Sequence, residues 1–482
     1  MMNPFIENLY QSFLQHKTNT CFSIEDKNYT YGEVLHISDQ IRYQLQKVDS
    51  QNVGIYLTDD VHMYASILAV WFSGKTYVPI HPDFPMNKNI NVIQQADIEV
   101  ILTSVEIIEN YQIKLIDTKK VFDKDPSTLP SEASINNNAY ILFTSGSTGN
   151  PKGVPIQFSN LYYFSEAFHS TFGKLKSDDH ILQMFELTFD LSVMSYMIPW
   201  LNGAAVVGLH KKETKFLQIL DLLEANKITI ALMVPSILNL IIPYLDPEIK
   251  NKSLRLNLFC GEALLTKQIE GWKDFIPNAN IYNVYGPTEN TIFCTYYKVE
   301  SPIKEKNGII SIGKSMINSM MSFSNDDTNE GELLLSGKLL ANSYWKNEEK
   351  TNEAFIQKDD TIFYRTGDWC LRDTEGDYFY LNRIDFQAKI NGFRVELAEI
   401  EYFANEKLNN SISIALIHKD NNNNDLLVLF INDMNIDENL IVSHLKDNLP
   451  EYCIPSKIIK LEKFPVNTSG KIDRNELKKT LS

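Results

Sequence analysis

The chain has 482 residues, 44% of them hydrophobic, which is enough to bury several cores, and its length favours two or more domains over one. A formal net charge of -16 repels polyanions, arguing against nonspecific nucleic acid binding and against an anionic membrane surface. Five scattered cysteines without a C-x-x-C pair suggest neither a disulfide framework nor a zinc site. They fit a reducing cytoplasm, and no segment has the length of a membrane span or the pattern of a signal peptide.

In chain order, a strand is expected at 53–57 and a core helix over 65–72. An apolar strand then runs into Thr144-Ser-Gly-Ser-Thr-Gly149, and the loop closes on Lys152. Gly146 and Gly149 let backbone N–H groups turn toward an anion, Thr144, Ser145, Ser147 and Thr148 add hydroxyls, and Lys152 adds positive charge, so the loop reads as a phosphate cradle. It lacks the Gly-Lys-Ser/Thr of a Walker loop, and taken alone it is equally consistent with a surface connection.

Strands at 228–234, 254–259 and 280–284 are separated by helices at 236–244 and 264–275, a β-α-β-α-β series whose ligand groups belong where strands end. The last strand leads into Tyr282-Asn-Val-Tyr-Gly-Pro-Thr-Glu289. There Tyr285 can stack on a purine, Thr288 can hold a phosphate and Glu289 can ligate a Mg²⁺ that bridges phosphate oxygens. The simpler local reading is a turn with a cap at Thr288. From 308 to 380 the pattern shifts to strands and turns, clearest at 331–337 and 376–381, which predicts a smaller antiparallel unit.

Asp368, in Tyr-Arg-Thr-Gly-Asp at 364–368, is a suitable acceptor for ribose hydroxyls, and Arg383 can reach a phosphate. After Asp385 the chain restarts with a strand, a helix at 397–405, strands near 412–417, 426–431 and 457–461, and a polar hairpin connection at 420–425. The domain boundary is therefore placed at Asp385, giving domains 1–384 and 386–482. A glycine turn near the C-terminus, Asn467-Thr-Ser-Gly-Lys-Ile-Asp-Arg474, projects Lys471; a lone lysine there is ordinarily solvated surface.

Together with Tyr-Thr-Tyr-Gly-Glu at 29–33, Gly-Lys-Thr-Tyr-Val-Pro-Ile-His-Pro at 74–82 and Lys-Ile-Asn-Gly-Phe-Arg-Val-Glu at 389–396, these motifs resemble, in the same order and over nearly the whole chain, the adenylate-forming superfamily of acyl-CoA ligases, luciferases and amino acid adenylation domains. The fold this implies is α/β: a large N-terminal domain of parallel βα sheets with a small β-rich subdomain, and a mobile small α+β C-terminal domain hinged at Asp385. Phe-Asp-Leu-Ser-Val at 189–193 resembles the amino acid adenylating branch, where the aspartate matching Asp190 binds the substrate α-ammonium. Such a charge in a half-dry pocket needs a paired carboxylate; the local alternative is a helix cap.

The implied substrate pocket is Asp190, Leu191, Met194, Leu232, Leu258, Cys260, Val284, Ile292, Phe293 and Lys471, apolar between its two charged ends. It suits a small uncharged side chain and most resembles the branch that loads D-alanine on a carrier protein, in which the cysteine matching Cys260 crowds the side where an L-methyl would lie. Leu232 and Phe293 are larger than that branch's residues, so L-proline or another small apolar amino acid stays open. Asn382 replaces a glycine, and 314–330 is shorter than the family's hairpin.

The resemblance implies ATP and Mg²⁺, with phosphates on Thr144 to Lys152 and Thr288 and the metal on Glu289. Adenosine would lie at Gly261, Glu262, Ala263, Asn283, Tyr285 and Gly286, the ribose on Asp368 beside Arg383, and Lys471 at the α-phosphate. A phosphopantetheine thiol of a carrier protein would then take the acyl group. Monomer is the default assembly. The alternatives are an acyl- or aryl-CoA ligase, transfer of the adenylate to an amine, and a non-enzymatic adenylate-binding protein.

Overall fold

Apolar runs of strand length separated by amphipathic helices build two large sheets, and the parity of each strand decides which core a side chain joins. The computed structural model describes residues 3–25, 27–107, 111–122, 129–144, 150–210, 213–325, 328–384, 387–390, 392–408, 411–419, 425–465 and 472–481. The chain divides into two units, one of residues 1–80, 95–142 and 153–384, the other of 81–94, 143–152 and 385–482.

The first unit carries a nine-stranded sheet in the order Lys314–Ser315, Thr295–Lys298, Asn280–Tyr285, Leu256–Phe259, Ile230–Met233, His180–Gln183, Ala205–Gly208, Thr20–Ile24, Lys27–Thr30. Its central strands are parallel and its edges antiparallel. Leu232 lies opposite Leu258, and Leu258 opposite Tyr282. Leu232, Leu258 and Val284 accordingly enter one core, while Ala231, Met233, Phe259 and Ile281 enter the core on the other face.

A second, six-stranded sheet runs Lys114–Asp117, Val100–Thr103, Asn52–Tyr56, Thr76–Ile80, Asn138–Thr144, Lys152–Gln157. Its covering helix Val61–Phe72 is apolar around most of its circumference and buried to match, with Asp60 capping its start through Met63 N at 3.0 Å. Trp71 of this helix is fully buried and donates its indole N–H to the Ala139 carbonyl at 2.9 Å. The β-rich part is an antiparallel sheet of Ser319–Phe323, Glu330–Gly337, Thr361–Arg372 and Phe355–Lys358, with Tyr378–Arg383 paired to Thr361–Arg372.

Expected and observed elements agree in type and differ at their ends. The runs 228–234 and 254–259 shorten to Ile230–Met233 and Leu256–Phe259, because Ile228 and Leu254 are buried ahead of the ladder. The helix expected at 236–244 is α-helical only over Ser236–Ile241; Pro243 lacks an N–H, and the chain tightens into a 3₁₀ turn at Ile242–Tyr244. The strand expected at 376–381 is Tyr378–Arg383 instead, since Gly376 sits at φ 85° in the turn. That shift puts Arg383 on the ladder opposite Asp368.

In the second unit a hairpin of Gln387–Ile390 and Phe393–Glu396 leads into the helix Leu397–Asn405, and Ser413–Lys419, Asp425–Ile431 and Lys457–Lys460 form a three-stranded sheet. Ile390, Val395, Ile400, Leu429 and Leu445 share its core. Arg474 grips both Glu401 oxygens at 2.7 and 3.0 Å and the Ala415 carbonyl at 2.9 Å, anchoring the chain near its C-terminal end.

Glu399 is only 2% exposed, and its Oε2 has no hydrogen-bond partner among the described residues. Burial pushes its carboxyl up from 4.5 to about 7, opposed by Lys88 and Lys152 and aided by Glu396. An acid whose folded value is raised binds its proton more tightly when folded, so stability is greatest below the ordinary value and is lost as pH rises from there to about 7. Urea midpoints compared at acid and neutral pH should therefore show Glu399→Gln gaining on the wild type as pH rises through that window; parallel curves would refute the linkage.

Candidate nucleotide and amino acid site

The strand Asn280–Tyr285 ends in a reversal that brings the candidate groups together. At Gly286 a Cβ would stand 2.4 Å from Phe293 Cα and 3.0 Å from Cys294 N, so only glycine lets the two backbones approach. Thr288–Asn290 forms a 3₁₀ turn with no side-chain cap, and Thr291 and Ile292 follow at φ 49° and 71°. Two β-branched residues in the left-handed region cost on the order of 1–3 kcal/mol each, and such strain persists where the surroundings fix it. Here the Ala341 N–H reaches the Glu289 carbonyl at 2.8 Å, and the Thr291 hydroxyl reaches the Leu339 carbonyl at 2.5 Å.

Glu289 is fully buried, and its Oε1 accepts the Tyr344 hydroxyl at 2.7 Å. Asp368 takes the Tyr285 hydroxyl on Oδ2 at 2.5 Å and the Arg383 guanidinium on Oδ1 at 3.0 Å. Arg383 also donates to the Thr366 carbonyl at 2.9 Å, and the Thr366 hydroxyl accepts the Asp368 N–H at 3.0 Å. Burial, then the Asp368 carboxylate beside it, push the Tyr285 phenol well above its ordinary value, so it stays a donor. Read from the motifs, Tyr285 and Asp368 serve different parts of a nucleotide; the fold joins them directly.

Two of the expected adenosine contacts have structural duties. Glu262 Oε2 accepts the Ser236 N–H at 2.7 Å, satisfying the start of the helix Ser236–Ile241. Asn283 donates to the Ile310 and Ser311 carbonyls at 3.2 and 2.9 Å, which commits its amide N–H groups to backbone. Gly261 lies at φ 93°, and Ala263 is exposed beside it.

Asp190 precedes the helix Leu191–Asn202 at 8% exposure, yet its side chain makes no capping hydrogen bond, so the helix-cap alternative does not describe it. Its negative charge adds to burial in raising the phenols of Tyr77 and Tyr140, which places these buried tyrosines within its field. Tyr77 lies within the motif at 74–82, whereas Tyr140 carried no sequence signal. Leu191, Met194, Leu232, Leu258, Cys260, Val284, Ile292 and Phe293 are all buried in one core. Phe293 is held edge-on by Phe164 at 5.1 Å and by Phe172 at 6.3 Å, which fixes its ring.

In the second unit the Thr144 hydroxyl faces the Lys152 carbonyl at 3.5 Å, and Lys152 Nζ stands 3.7 Å from Glu396 Oε1. Ser145, Gly146, Ser147, Thr148, Gly149, Asp385 and Lys471 lie outside the described residues.

Gly286→Ala should cost about 1–3 kcal/mol or more by forcing the strand apart from Phe293, as overpacking does. Chemical denaturation measures it, and an unchanged midpoint would show that the close approach is not required.

The chain matches the family described as AMP-binding enzyme over residues 9–345. It is 31% identical to a plipastatin synthase polypeptide of Bacillus subtilis (strain 168) over 94% of its own length, and spans 13% of that much longer protein. It is 30% identical to the D-alanine–D-alanyl carrier protein ligase of Staphylococcus haemolyticus (strain JCSC1435), covering 94% of each chain. In fold it superposes with a TM-score of 0.88 on the Vibrio cholerae adenylation domain AlmE solved with glycyl-adenosine-5'-phosphate, at 24% identity and covering 100% of this chain and 98% of that one. Among the described residues no helix is long and apolar enough to cross a membrane. The chain belongs to the AMP-binding enzyme family.

Proposed function

We propose that this chain is an ATP-dependent, AMP-forming ligase that activates a small apolar amino acid, D-alanine first among them, and passes it to the phosphopantetheine thiol of a carrier protein. The observation that carries the reading is Asp190, a carboxylate released from helix capping at the head of a wall of buried apolar side chains. An ammonium taken into such surroundings without a carboxylate costs several kcal/mol, about enough to abolish binding, whereas a fatty acid has no use for the charge.

In the first half-reaction a substrate carboxylate oxygen attacks the α-phosphorus of ATP, the P–O bond to the β-phosphate breaks, and aminoacyl-AMP and pyrophosphate form. The chain's part is positioning and charge neutralisation. Asp368, held by Tyr285 and Arg383, receives the ribose hydroxyls. The segment from Thr144 to Lys152 takes the β- and γ-phosphates, and Lys471 meets the charge that builds on the α-phosphate. Glu289 fits a hard cation, being a buried carboxylate held by a hydroxyl. A Mg²⁺ bound there supplies charge neutralisation at the phosphates.

In the second half-reaction the carrier thiol attacks the acyl carbonyl, the bond to AMP breaks, and AMP leaves. All five cysteines of this chain are buried free thiols, which supports an external nucleophile and a reducing, cytoplasmic setting. Rotation of 386–482 about Asp385 would exchange Lys471 for the Gly392 hairpin between the two steps. A monomer leaves that rotation unhindered.

Cys260, 1% exposed at the end of the strand Leu256–Phe259, favours the D-enantiomer by crowding one side of Cα. Phe293, held by two aromatic rings, favours a short pocket, and with Leu232 supports the second reading, L-proline or another small apolar amino acid.

Pyrophosphate release across both enantiomers of small amino acids, proline, a benzoate and a medium-chain fatty acid should peak at a small apolar amino acid. Activation of the fatty acid or benzoate alone would move the chain to the acyl- or aryl-CoA ligases, and silence on every amino acid would remove the Asp190 reading. Lys471→Ala should lose on the order of 100-fold in adenylation rate while still binding ATP; a near-normal rate would take Lys471 out of the mechanism.

A further inference from the structure

A single loop, 338–345, touches both the Glu289 turn and the strand that follows the phosphate loop. Asn160 donates to the Lys338 and Leu340 carbonyls at 2.9 and 3.1 Å, and the Thr291 hydroxyl donates to the Leu339 carbonyl. The Ala341 N–H holds the Glu289 carbonyl, so side chain and backbone of Glu289 are both engaged by this loop. The Tyr344 ring packs edge-on against Phe355 at 5.5 Å, and its N–H is taken by the Thr351 hydroxyl at 3.0 Å. The next residue, Trp345, donates its backbone N–H to the Gly153 carbonyl at 2.7 Å and its indole N–H to the Gln95 carbonyl at 2.9 Å.

We propose that Tyr344 is a positioning residue for Glu289: its hydroxyl sets the rotation of the carboxylate that faces the nucleotide's divalent cation, while Trp345 ties the same loop to the phosphate side at Gly153. The physical need is plain. A metal-binding carboxylate works only when its oxygens are aimed, and partners behind it do the aiming; losing one typically costs 10- to 100-fold in metal affinity. Tyr344 is buried and its backbone and ring are already fixed by Thr351 and Phe355, so its hydroxyl arrives at Glu289 preorganised. Removing that hydroxyl leaves the ring packing and all backbone bonds of the loop in place.

This inference rests on the reading of Glu289 as a metal ligand. The test uses the full chain as wild type, Tyr344→Phe and Glu289→Gln, with Mn²⁺ binding followed by electron paramagnetic resonance in the presence of a non-hydrolysable ATP analogue. Metal-free AMP affinity and melting temperature are measured alongside. Tyr344→Phe is expected to weaken Mn²⁺ binding about tenfold and to raise the Mg²⁺ needed for half-maximal pyrophosphate release by a similar factor, with metal-free AMP affinity unchanged. If Glu289→Gln weakens Mn²⁺ binding and Tyr344→Phe does not, the positioning role is overturned. An equal loss of metal-free AMP binding and of melting temperature in Tyr344→Phe would reduce the tyrosine to a packing group and overturn it as well. If Glu289→Gln leaves Mn²⁺ binding intact, Tyr344 has no ligand to position and the inference falls with it. Should wild type activate no amino acid while the Mn²⁺ result holds, the substrate reading fails and the role of Tyr344 stands.

Discussion

The reversal after the strand Asn280–Tyr285 is the constraint on which the candidate site depends. Because Gly286 carries no Cβ, the chain can double back against Phe293 and Cys294, and one short segment serves three purposes. Its first residue, Tyr285, reaches across to Asp368; its middle, Glu289, turns inward to Tyr344; its end, Ile292 and Phe293, joins the apolar wall. The backbone strain at Thr291 and Ile292 is offset by burial and by hydrogen bonds from the 338–345 loop. A carboxylate held this way on side chain and backbone has little freedom to relax.

The wall itself is a consequence of strand parity. Leu232, Leu258 and Val284 point to one side of the nine-stranded sheet because successive residues alternate, and parallel register brings equivalent positions of neighbouring strands level. The helix Leu191–Asn202 adds Leu191 and Met194 to the same core and carries Asp190 at its head. The Asp190 carboxylate thus stands at one end of that buried apolar wall. Phe164 and Phe172, on the helix Phe158–Phe172, brace the Phe293 ring, so its place in the wall is set by packing between elements.

Much of this was legible in the residues because motifs carry local physics. A Ser/Thr/Gly run closing on Lys152, a Gly-Pro turn after an apolar strand and an aspartate after a glycine turn each demand particular residue types at fixed offsets. Apolar runs located the strands, and erred only at ends such as Ile228 and Leu254, where burial extends beyond hydrogen-bonded pairing. Family membership followed from the order of the motifs, since no one of them is specific by itself.

What the tertiary structure alone decided are the pairings between distant segments. Tyr285 and Asp368 are 83 residues apart, and Tyr344 stands 55 residues from Glu289 without a motif of its own. No local pattern encodes them, because a hydrogen bond across the sequence depends on where two strands and a loop end in space. The same holds for the duties of Glu262 and Asn283, whose side chains are spent on the Ser236 N–H and on the carbonyls at 310–311. Sequence determined which chemical groups are present and which strand ends deliver them; packing determined which of those groups hold one another, since only folding brings their atoms within bonding distance.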